Sequence, residues 1–105
     1  MTINAEDRAF PKTVYEEYTF EFDFAPSMPP GSATIATCAT TATEDDGTAA
    51  PSVVLTTTVV PTSTKINVKV TGGEDGKNYK LFHRAVLTTT AEKIEGMTLM
   101  QVRNF

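Results

Sequence analysis

The chain has one histidine, His83, and one cysteine, Cys38, so the side chains best suited to nucleophilic or metal chemistry are few. A hydrolytic triad would join His83 to Ser27, Ser32, Ser52 or Ser63, and none of these lies in the Gly-x-Ser-x-Gly turn that exposes a nucleophile. A Cys38–His83 dyad requires their two strands to adjoin. The small residues of "ATCAT" point instead to a thiol that fills core space. Zinc needs more Cys or His ligands than the chain offers. Two acidic clusters, Glu44-Asp45-Asp46 and Glu74-Asp75, lack the alternating carboxylates and closing Glu of a calcium loop, and they read as solvated turns. Glu21 and Asp23 share one face of a strand, as the polar outer face of a sheet also would.

The stretch "VTGGEDGKNYKLF" is the remaining chemical candidate, because glycines followed by lysine can cradle phosphate. The spacing fails. Only three residues separate Gly72 from Gly76 where the pattern needs four, Asn78 stands where Ser or Thr would meet magnesium, and no helical pattern follows. Gly72, Gly73 and Gly76 fit a hairpin connection that needs positive φ, with Asp75-Gly76 as the turn pair. No catalytic residue, metal or cofactor is expected.

The elements that would position these residues are strands. Nineteen of the 105 residues are threonine, and β-branched side chains favour a pleated backbone. "YTFEFDF" sets Tyr18, Phe20, Phe22 and Phe24 on one face and Thr19, Glu21 and Asp23 on the other. The prolines and glycine of "APSMPPGS" turn the chain near Pro26 to Gly31. A strand from Ala33 to Thr43 follows, whose small side chains leave room for the Phe row. "SVVLTTTVVP" and "TKINVKVTGG" supply two more strands, with Ile66, Val68 and Val70 inward and a break at Pro61. In "NYKLFHRAVLTTT", Tyr79, Leu81, His83, Ala85 and Leu87 oppose Lys80, Phe82, Arg84 and Val86. Large apolar groups on both faces predict a central or covered strand. "AEKIEG" is the expected last turn and "MTLMQVRNF" the closing strand.

Six or seven short strands without a helical pattern predict an all-β sandwich or small barrel, with a flexible N-terminal arm over 1–12 and one domain over 13–105. The lone cysteine excludes an internal disulfide. The absence of an apolar leader or a span of ~20 apolar residues argues against secretion and a membrane anchor. A net charge of −4 disfavours general nucleic-acid binding. Residues 1–50 carry nine acids against two bases and residues 51–105 four acids against seven bases, an asymmetry that mixing of strands in space would erase. Phe10, Pro11, Met28, Pro29, Pro30 and Phe105, at ends or in loops, are the candidate protein contacts.

Three segments carry a resemblance: "YTFEFDFAPSMPPGSATIAT", "INVKVTGGEDGKNYKLF" and "VLTTTAEKIEGMTLMQVRNF". Together they resemble small Ig-like proteins of tailed bacteriophages described as fibre-to-tail adaptors. The aromatic strand ends in Phe-Asp-Phe and is followed by Gly-x-x-Thr-Ile, then come the Gly-Gly-x-x-Gly turn with its Tyr-led strand and a closing hairpin. The resemblance implies an Ig-like antiparallel β-sandwich and a non-enzymatic structural protein of the virion, assembled in the host cytoplasm. It would bind tail, fibre or capsid subunits in multiple copies within a symmetric assembly. A capsid decoration protein and a carbohydrate-binding sandwich module are the alternatives.

Overall fold

The computed structural model describes residues 2–4, 10–25, 28, 34–88 and 91–104, the first three through their backbone alone. In chain order the strands are β1 (Thr2–Asn4), β2 (Phe10–Lys12), β3 (Tyr18–Asp23), β4 (Ile35–Glu44), β5 (Val53–Val59), β6 (Lys65–Gly72), β7 (Asn78–Leu87) and β8 (Lys93–Val102). They form two four-stranded sheets, ordered β1-β3-β6-β5 and β2-β8-β7-β4, whose inner faces close on one core. This is the expected β-sandwich, and no α-helix occurs among the described residues.

Alternation along the strands builds that core. On β3, Phe20 and Phe22 are buried, as is Phe24 just beyond the strand, while Tyr18 is half-buried against them. Opposite them in register on β6, Val68 faces Phe20 and Ile66 faces Phe22, and both are fully buried. Each ring removed from water contributes about 2–3 kcal/mol. β7 is a central strand between β8 and β4, with Tyr79, Leu81, His83, Ala85 and Leu87 buried and Phe82 and Val86 half-buried on its outer face.

Two differences from the sequence reading have physical causes. The segment expected as an arm supplies two short edge strands, which raises the strand number to eight. Phe10 and Lys12 are buried and β2 pairs in parallel with β8. The closing strand begins at Lys93 rather than after Gly96, which faces His83 across the β7–β8 ladder. A Cβ on Gly96 would lie 2.5 Å from Cζ of Phe22, so this glycine makes room for a ring and does not form a turn. Ala33 and the turn expected near Pro26 to Gly31 lie largely outside the described residues.

Candidate assembly surfaces

His83 lies at the centre of the sandwich with no exposed surface. Its Nδ1 lies 2.9 Å from Thr40 Oγ1 on β4 and its Nε2 2.8 Å from Thr98 Oγ1 on β8. The ring packs against Phe22 at 4.5 Å between centroids and against Phe20 at 6.0 Å. Burial among these rings lowers its pKa to about 4, so it is neutral at pH 7 and bridges three strands as a core hydrogen-bonding group. The strands of Cys38 and His83 do adjoin, but Cys38 faces Ala85 in register, and both imidazole nitrogens are engaged by threonines. Half-burial raises the Cys38 pKa to about 11, which keeps the thiol protonated.

The glycine stretch is a turn whose amides are already engaged. Gly72, Gly73 and Gly76 have φ of 79°, 96° and 86°. The Gly73 N–H donates to Ser52 O, Glu74 N–H to the Tyr79 hydroxyl, Gly76 N–H to Val102 O and Lys77 N–H to Glu74 O. A phosphate would have to displace these partners. A Cβ on Gly72 would approach Ser52 O to 2.1 Å, and one on Gly73 would meet Val102 Cγ2 at 2.8 Å, so close packing as well as φ demands glycine there.

Around this turn residues 12–14 and residues 103–104 are tied together. Lys12 Nζ, buried, donates to Gly72 O at 2.6 Å and Thr13 O at 2.7 Å. Desolvation lowers its pKa, partly offset by Glu16 and Glu17. Arg103 donates to Lys77 O and Asn78 Oδ1, Asn104 N–H to Asp75 Oδ1, and Val14 N–H to Asn104 Oδ1. Lys77 lies 3.0 Å from Glu44 and 2.7 Å from Glu74, joining the two acidic clusters that are distant in sequence. Hydrogen bonds to those carboxylates raise the Lys77 pKa. Among the described residues, no group of three or more His, Cys, Asp or Glu side chains is placed to hold a metal ion.

The expected contact residues fall in different places. Phe10 is a core residue, with its ring 5.3 Å from Phe20, and is withdrawn from any contact surface. Pro11 is exposed on the β2 edge, and Met28 is half-buried against the core. Pro29, Pro30 and Phe105 lie outside the described residues. The sequence reading passed over Tyr15, which is 95% exposed beside Val14 in the loop from β2 to β3. With Thr13, Glu16 and Asn104 these two line a surface depression. The available signal was parity: Tyr15 is odd-numbered beside the even-numbered aromatic row of β3, and it precedes the strand.

Residues 12–100 match the family described as podophage GP4 fiber-tail adaptor protein gp77. The chain belongs to this family. The matched region runs from Lys12, at the end of β2, to Met100 in β8, and so takes in both sheets of the adaptor sandwich. The fibre-to-tail resemblance of the three sequence segments is thereby borne out. No curated protein and no solved structure matches the chain.

Proposed function

We propose that this protein is a non-enzymatic virion adaptor that joins tail and fibre components, in multiple copies around a symmetric ring. Membership of the fibre-tail adaptor family across residues 12–100 carries this reading. The buried, doubly bonded His83 and the protonated thiol of Cys38 support a scaffold rather than a reaction centre. We read the sandwich as Ig-like, because β3-β6-β5 and β8-β7-β4 follow the B-E-D and G-F-C orders of immunoglobulin sheets.

The mechanism is geometric. A rigid two-sheet body presents its loop ends, its free strand edges and its N-terminal segment to neighbouring subunits. Tyr15 has the character of an interface anchor, since a tyrosine offers large contact area at low entropic cost. β1 is three residues long and pairs in parallel at a sheet edge, which makes it the strand most readily exchanged onto a neighbour. Pro11, Met28, Pro29, Pro30 and Phe105 complete the proposed contacts.

Quantitative mass spectrometry of purified particles, followed by separation of tails from capsids, tests this reading. The expected result is on the order of ten copies per particle, all with the tail fraction. Hundreds of copies in the capsid fraction would assign the protein to shell decoration instead.

A further inference from the structure

The sheet β2-β8-β7-β4 turns one face to the core and the other outward. Because Tyr79, Leu81 and His83 of β7 and Thr98 and Met100 of β8 are buried, alternation points Lys80, Phe82 and Arg84, and with them Glu95, Met97 and Leu99, away from the core. In register, Phe82 lies between Thr41 and Met97, and Lys80 between Thr43 and Leu99. Met97 and Leu99 are 40% and 36% exposed and Phe82 is half-buried, so three large apolar side chains adjoin at the centre of an open face. Adjoining exposed apolar groups with a polar rim mark a contact surface. Pro11, outward on β2 and opposite Gln101, lies on the same face.

The charge of this face is unlike that of the chain. Its outward strand positions hold Lys80, Arg84 and Lys93 against Glu95 alone, a balance of +2 in a chain of net charge −4. On the other sheet the outward lysines meet acids of their own chain: Lys65 lies 3.5 Å from Glu21, and Lys69 3.5 Å from Glu17. Here only Arg84 is paired, to Glu95 at 2.7 Å, and the ammonium groups of Lys80 and Lys93 have no carboxylate partner among the described residues.

We propose that this face docks an acidic surface of another virion protein, whose apolar centre covers Phe82, Met97 and Leu99 and whose carboxylates reach Lys80 and Lys93. The proposal rests on the adaptor reading, for which it names a contact. Charge selects the occupant. A second copy seated face to face would set one excess of cations against the same excess, and a nucleic acid is held by clustered cations rather than by an apolar row. Arg84, Val86, Lys93 and Glu95 line a depression in this face, where an incoming carboxylate meets two cations. Three strands about 4.8 Å apart and about nine residues long give a face of roughly 450 Å², against the ~800 Å² that each partner of a stable pair buries. One contact is therefore weak, and several copies on a particle hold together.

The double variant Lys80→Glu, Lys93→Glu should keep its thermal midpoint, since neither ammonium has a partner in the fold, and should lower the copies per particle at least about tenfold. Lys80→Arg, Lys93→Arg should retain the wild-type copy number. In wild-type particles, hydrogen peroxide should oxidise Met97 at least about tenfold more slowly than in the isolated protein, with the buried Met100 inert in both. Carbodiimide coupling, which joins an ammonium to a carboxylate in contact, should link Lys80 or Lys93 to an acidic residue of a different virion protein. These wild-type measurements decide the question if the glutamate variant does not fold. Absence of the wild-type protein from the tail fraction would overturn the adaptor reading and this proposal with it. Presence there with Met97 as reactive as in solution, with normal incorporation of a folded Lys80→Glu, Lys93→Glu protein, or with both lysines coupled only to a second copy or to nothing, would overturn this proposal alone.

Discussion

His83 ties the two sheets' chemistry to pH. Its pKa of about 4 in the fold lies below the 6.5 of an exposed histidine, so the unfolded chain binds the extra proton more readily. The stability that depends on neutral His83 is therefore complete above pH 6.5 and declines as pH falls from 6.5 through 4. The loss amounts to about 3 kcal/mol. Urea unfolding at pH 7.0, 5.5 and 4.0 measures it, and His83→Gln should flatten the slope over that range. A second prediction concerns Gly96. Gly96→Ala drives a Cβ into the ring of Phe22 and should cost about 1–3 kcal/mol, read as a lower thermal midpoint. The roles of these two residues differ in how well the sequence shows them. The alternating pattern places His83 on the inward face, but its partners, Thr40 and Thr98, come from strands 43 and 15 residues away. Gly96 looks like a turn residue until Phe22 is seen to occupy the space above it.

At the scale of elements, β3, β6 and β7 were legible because each sets a row of large apolar side chains against polar ones. β2 was not. Three residues give no period, and a lysine between solvent-like neighbours suggests exposure, whereas Lys12 is buried with its ammonium on the carbonyls of Gly72 and Thr13. The packing of β2 leads to a graded truncation experiment. Removing residues 1–9 leaves Phe10 and Lys12 in place and should change the unfolding free energy little. Removing residues 1–12 uncovers β8 and empties the space beside Phe20 and Tyr18, at a cost of at least about 3–5 kcal/mol. Hydrogen exchange at β8 would report the same contrast, with fast exchange in the shorter protein only.

The whole molecule mixes its halves. Glu21 meets Lys65, Glu17 meets Lys69 and Glu44 meets Lys77, so the acid-rich first half and the base-rich second half are paired across strands. These contacts are partly or fully exposed and contribute little individually. They bring acids of the first half beside bases of the second, as mixing of strands in space predicts. The sequence carried the architecture through period-two patterning and the family through three segments. It could not carry the exposure of Tyr15, because that depends on which elements end up as neighbours.

The adaptor account is tested most directly by particles assembled without this protein. Electron microscopy of such particles should show capsids with tails but no attached fibres, and adding the folded protein to the mutant particles and free fibres should restore attachment. Fibres present at normal number in its absence would contradict the account.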